Sequence, residues 1–226
     1  MTGQGLCVKV QIARGQQAQQ EHSIITIEFA ISVFLFALAS AITPGPNNVM
    51  LMSSGVNFGI RRSLPLVCGV MFGFPAMFVA IGLGLGTVFQ RYPLVHDAIS
   101  VIGVLYLLFL AWKIARSGKP ELRNTEARPL SFVQAALFQW VNPKAWIMAT
   151  GAIAAFTTAG DDIYRQVLVI AVIFMTASVP SAWTWLLFGV GLQKLLADDV
   201  WRQRFNLLMA LLLVASMVPV VMDLLT

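Results

Sequence analysis

Charge is scarce in this chain. Asp, Glu, Lys and Arg make up 11% of its 226 residues, where soluble domains carry about 25%. Cysteine is rarer still. Cys7 lies in a polar stretch and Cys68 in an apolar one, so a disulfide framework is excluded and a thiol or metal cluster has too few ligands. The two histidines, His22 and His96, fall in expected loops, and the sequence His-Glu-x-x-His is absent. A membrane zinc protease is therefore disfavoured. Carboxylates are missing where a cation pump would want them. Glu28, Asp97 and Asp223 lie at expected helix ends, and none is central. No metal and no cofactor is expected.

What is present is apolar. Hydrophobic residues are 58% of the chain and the mean hydropathy is +0.79. A membrane helix needs about 20 such residues. Six apolar segments are long enough to read as spans, at about 27–59, 64–89, 97–112, 130–158, 166–192 and 205–225. The expected fold is an all-α integral membrane protein. Residues 1–25 are polar and Gln-rich and read as a disordered tail, not a signal peptide. Residues 26–226 read as one transmembrane domain.

The first and fourth segments are interrupted near their middles. Thr43-Pro44-Gly45-Pro46-Asn47-Asn48 breaks the first, and Asn142-Pro143-Lys144 breaks the fourth. Proline removes a backbone donor and pushes the preceding residue out of the helical region. A break inside lipid is tolerated only against protein or a water-filled cavity. The second and fifth segments each carry one internal proline, Pro75 and Pro180. Two matching halves of three spans, about 27–116 and 130–225, must be inverted relative to one another. Paired broken helices in inverted repeats point to a transporter site at the midplane.

The breaks offer definite chemistry. Each frees carbonyls at one half-helix end and amides at the start of the next, where Pro46 suits the first helical position. Those amides carry the positive end of a helix dipole and attract a carboxylate. Asn47, Asn48 and Asn142 add amides that donate and accept. Lys144 is the one charge near a span centre, which marks it as functional by default. A substrate with both an anionic and a cationic group, such as an amino acid, fits this set. The expected substrate-binding residues are Thr43, Pro44, Gly45, Pro46, Asn47, Asn48, Asn142, Pro143 and Lys144. The competing structural reading is a kink whose polar groups satisfy one another. Gly55 with Gly59, and Gly69 with Gly73, stand four apart and read as close helix contacts.

The net charge is +5. Its sign does not point to nucleic acid, because the basic residues cluster between apolar segments. The turns after spans one, three and five hold Arg61, Arg62, Lys113, Arg116, Lys119, Arg123, Arg128, Lys194, Arg202 and Arg204. Those after spans two and four hold only Arg91 and Arg165. By the positive-inside rule the odd turns are cytoplasmic and both termini lie outside.

These motifs resemble the LysE/RhtB family of amino-acid exporters, the LysE family translocators. The likeness is carried by Thr43-Pro44-Gly45-Pro46-Asn47-Asn48, by Phe58-Gly59-Ile60-Arg61-Arg62, by Leu105-Tyr106-Leu107 with Ala111-Trp112-Lys113, and by Asn142-Pro143-Lys144. Asn47-Asn48, Phe58-Gly59 and the run from Arg202 to Asn206 resemble the cysteine and O-acetylserine efflux branch. Phe156-Thr157-Thr158-Ala159 departs from the Pro-Gln-Phe of many relatives. The resemblance implies a bacterial inner-membrane exporter of amino acids or close derivatives, driven by the proton gradient. Its partners would be that substrate and the bilayer, with a homo-oligomer left open. The alternatives are a membrane-embedded enzyme and a non-transporting sensor or subunit. No Ser-His, Cys-His or metal constellation supports the enzyme, and no soluble domain is read for the sensor.

The charge asymmetry is testable. A reporter fused after Arg128 should be active on the cytoplasmic side, and one fused after Thr226 on the periplasmic side. The opposite pattern would refute the orientation and the span count together.

Overall fold

The computed structural model describes residues 26–85, 91–116, 128–158, 163–218 and 221–222. The Gln-rich tail, the basic stretch 117–127 and the turn with Asp161 and Asp162 lie outside these residues. Among the described residues every regular element is helical. The elements are α1 (Ile27–Ile42), α2 (Pro46–Ala80), α3 (Pro93–Arg116), α4 (Phe132–Phe138), α5 (Pro143–Phe156), α6 (Ile163–Leu192) and α7 (Asp199–Ala215). A π-helical segment, Ile81–Leu85, prolongs α2, and a 3-10 turn, Gln139–Val141, prolongs α4.

Both expected breaks are present. Thr43 is extended and ends α1, and Pro46 opens α2 at its first turn. Asn142 is extended and Pro143 opens α5. By length and composition, Pro46–Gly84 and Ile163–Leu192 are apolar enough to cross a membrane.

The helix α2 is two limbs. Gly59 has φ 72° and ψ −176°, a conformation closed to most side chains, and it divides the element. The Ser54 and Ser63 hydroxyls are hydrogen-bonded at 2.7 Å. Nine residues along a straight helix would separate them by about 13 Å, so the limbs fold back at Gly59. The first apolar segment therefore ends where the sequence suggests. Arg61 and Arg62, however, lie in the first turn of the second limb and not in a loop. Gln193 of the region after α6 donates to the carbonyls of Gly55 (2.9 Å) and Val56 (3.2 Å), just before the fold-back.

Two further expectations are corrected. Helix α3 starts at Pro93, before Asp97. Arg202 and Arg204 belong to α7, which starts at Asp199, so they are helical residues and not loop residues. The Asp198 carboxylate caps that helix by accepting from the amides of Val200 (2.8 Å) and Trp201 (3.1 Å).

Packing runs between the two halves of the chain. Helix α2 lies on α4 and α6, α1 lies on α6, and α3 lies on α7. Lipid offers little hydrophobic drive for helix association, so close van der Waals contact and interhelical hydrogen bonds decide it. Small residues supply the contact. A Cβ on Gly189 would collide with the Met52 carbonyl, and one on Gly55 with the Leu186 carbonyl. Gly69 and Gly73 press on Phe132, Ala135 and Ala136 of α4. The expected role of Gly69 and Gly73 is thus seen, whereas Gly59 serves the reversal. Asn57 and Asn206 exchange amide bonds of 2.9 and 3.2 Å between α2 and α7. On the outside, Ile102, Leu105 and Phe109 of α3 and Leu208 and Leu211 of α7 are exposed. Apolar faces of this extent suit hydrocarbon.

The backbone contact at Gly189 sets an expectation. Gly189→Val should lower the thermal stability of the purified protein in detergent, by about 1–3 kcal/mol for overpacking. Gly151 has open space around its Cβ position. Gly151→Ala should be neutral or stabilising, by up to about 1 kcal/mol. Equal melting temperatures for Gly189→Val and the parent would contradict the packing described.

Candidate functional site

A helix ends with carbonyls that have no partner in the helix. At the first break these are met by side chains from three other helices. Asn48 of α2 donates to the carbonyls of Ala41 (2.9 Å) and Thr43 (2.7 Å). Ser181 of α6 donates to Ala41 at 2.8 Å. The Trp185 indole, also of α6, donates to Ile42 at 3.1 Å. From α5, the Lys144 ammonium donates to the Thr43 carbonyl at 2.6 Å, the Thr43 hydroxyl at 2.7 Å and the Pro44 carbonyl at 3.4 Å.

The second break is satisfied partly from within. The Asn142 side chain accepts from the Lys144 amide at 3.2 Å and so caps α5. The Trp146 indole donates to the Trp140 carbonyl at 2.8 Å. Asn47 then joins the two breaks. Its amide and that of Gln139 exchange bonds of 2.8 and 3.1 Å, and Gln139 is fully buried. Gln139 also donates to the Ala135 carbonyl at 3.0 Å.

The two halves use corresponding residues. Pro46 and Pro143 each open a half-helix, and the next residue of each reaches across to the other break. Asn47 reaches Gln139, and Lys144 reaches Thr43. The Lys144 ammonium therefore does not cap carbonyls of its own break. Gly45 permits its approach, since a Cβ there would stand 2.7 Å from the Lys144 Cδ.

A cavity opens beside this junction. Its empty space is about 550 Å³, including the mouth. Gly45, Asn47, Asn48, Asn142 and Lys144 form its polar wall, and Phe74, Met148 and Phe174 much of its apolar wall. Of the residues expected to bind substrate, those five line the cavity. Thr43 and Pro44 reach it only through Lys144, while Pro46 and Pro143 set the backbone. Ser178 and Ser181 also line it. Sequence reasoning missed Gln139, Ser181 and Trp185. A second cleft, with about 420 Å³ of empty space including its mouth, lies among Ser53, Ser54, Phe58, Lys113 and Arg128. Among the described residues no group of three or more His, Cys, Asp or Glu could hold a metal ion.

Comparison with known proteins agrees with this architecture. The family model described as LysE type translocator matches residues 38–218, a stretch that contains both breaks. The chain is 30% identical over 180 residues to the cysteine/O-acetylserine efflux protein of Escherichia coli (strain K12), covering 79% of this chain and 90% of that one. It is 32% identical over 200 residues to the protein of the same name from Klebsiella pneumoniae subsp. pneumoniae, covering 85% of this chain and 97% of that one. No solved structure gives a significant match. The motifs at the two breaks and the match across most of the chain agree: this protein is a member of the LysE type translocator family, a transporter and not an enzyme.

Proposed function

We propose that the paired breaks form the substrate site of a secondary transporter that exports small L-amino acids across the bacterial inner membrane. The substrates are of the kind named for its relatives, cysteine and O-acetylserine. One observation carries the reading: a lysine of one broken helix holds the freed carbonyls of the other at the wall of a cavity. A structural kink would need only local partners. Here the two breaks are joined across about a hundred residues of sequence, at a place where a small zwitterion finds amides, carbonyls and an ammonium.

Six spans in a 3+3 inverted repeat suit this reading, with α1 and the first limb of α2 as span one and α4 with α5 as span four. Its support is the correspondence of Pro46-Asn47 with Pro143-Lys144. The positive-inside rule then puts both termini in the periplasm. Proton antiport is the coupling we assign. Lys144 is the ionisable group at the junction, and a lysine can release a proton on burial where an arginine cannot.

Cells overproducing the protein should accumulate L-cysteine or O-acetyl-L-serine in the medium. Unchanged external levels of these and other small amino acids, at confirmed membrane abundance, would refute the export reading. Lys144→Met should reach the membrane and lose net export by tenfold or more, because the apolar stem survives and the charge does not. Lys144→Arg separates the roles. Retained export would assign a fixed charge, and lost export at equal abundance would agree with a titrating lysine. Export by Lys144→Met at the parent rate would make Lys144 structural.

A further inference from the structure

We propose that the oxygens of Thr43 and Pro44 form a site for the substrate's α-ammonium group, and that Lys144 is a tethered competitor for it. The inference rests on the substrate site assigned above and names one of its subsites.

The Lys144 ammonium has three N–H donors, and it meets three acceptors: the Thr43 carbonyl, the Thr43 hydroxyl and the Pro44 carbonyl. All three are neutral oxygens. They stand at the C-terminal end of α1, where the helix dipole favours a cation. Nothing in this cradle is particular to lysine. The α-ammonium of an amino acid carries the same charge and the same three donors. Thr43 and Pro44 are exposed, and Gly45 and Lys144 beside them line the cavity wall, so a lysine that leaves the cradle opens it next to the cavity. The lysine arm is four carbons long and passes over Gly45, so its displacement needs no backbone movement.

The arrangement answers a difficulty of broken helices. Carbonyls at a helix end have no partner in the helix and need a donor when no substrate is present. Lys144 satisfies them meanwhile. An arriving ammonium takes over those acceptors, and the lysine swings into the cavity. Substrate binding and lysine movement are thus one exchange. A competitor on a short tether has a high effective concentration. If it leaves the cradle free a tenth of the time, the apparent affinity for a free ammonium falls about tenfold below the intrinsic one.

Equilibrium binding to purified protein in detergent tests this, with L-cysteine, N-acetyl-L-cysteine and 2-aminoethanethiol as probes. On the unaltered protein, N-acetyl-L-cysteine keeps the carboxylate but loses the ammonium, and should bind at least about tenfold more weakly than L-cysteine. On Lys144→Met, 2-aminoethanethiol, a primary amine without a carboxylate, should bind at least about tenfold more tightly than on the parent. Equal binding of L-cysteine and its N-acetyl derivative would overturn the cradle and leave the amino-acid site standing. Unchanged or weaker amine binding to a monodisperse Lys144→Met protein would overturn the competition. If that variant does not fold, the comparison on the unaltered protein still decides the cradle, and Lys144→Gln, which also removes the ammonium, takes its place for the competition. No binding of L-cysteine to the unaltered protein would overturn the substrate assignment and the cradle with it.

Discussion

A helix that stops inside a membrane protein leaves carbonyls that the helix itself cannot satisfy. That constraint organises this molecule. Ala41, Ile42, Thr43 and Pro44 all present carbonyls at the end of α1, and their donors come from α2, α5 and α6. No local capping motif could do this alone. The first break is completed only when the second half of the chain is folded against it. Each hydrogen bond is individually modest, about 1 kcal/mol net. Together they give every one of these helix-end carbonyls a donor.

The helices must approach closely for such short side chains to reach across. Gly55 and Gly189 bring α2 onto α6, and Ser181 and Trp185 of α6 then lie beside the end of α1. Gly69 and Gly73 bring the second limb of α2 onto α4, the helix that leads into Gln139. Packing and polar satisfaction are therefore one arrangement. The cavity is what remains between surfaces fixed in this way, and its polar wall is made of groups that also hold the breaks together.

Much of this was legible in the sequence. Pro44, Pro46 and Pro143 announce the breaks by local sterics alone, and Lys144 stands out because charge is so rare. Arg61 and Arg62 mark the end of the first segment, but Gly59 reads in the sequence as a helix contact, and its positive φ as the hinge shows only in the structure. The partner of Asn47 was not legible. Gln139 lies 92 residues away, and a pairing across that distance leaves no periodicity to read. Ser181 and Trp185 look like ordinary residues of a long apolar helix. The start of α7 is hidden in the sequence because the charges from Lys194 to Arg204 resemble a loop. Asp198, with the orphan amides after it, was the capping signal that would have placed Arg202 and Arg204 inside the helix.

The link between Asn47 and Gln139 is where the joining of the two breaks is most directly measurable. A double-mutant cycle with Asn47→Leu, Gln139→Leu and the pair together, read as thermal stability in detergent, isolates it. An interaction energy of at least about 1 kcal/mol is expected, since each single change removes both bonds that the other amide makes across the breaks. Additive effects, within about 0.5 kcal/mol, would mean that Asn47 and Gln139 do not couple the two breaks and would contradict their joining through this pair.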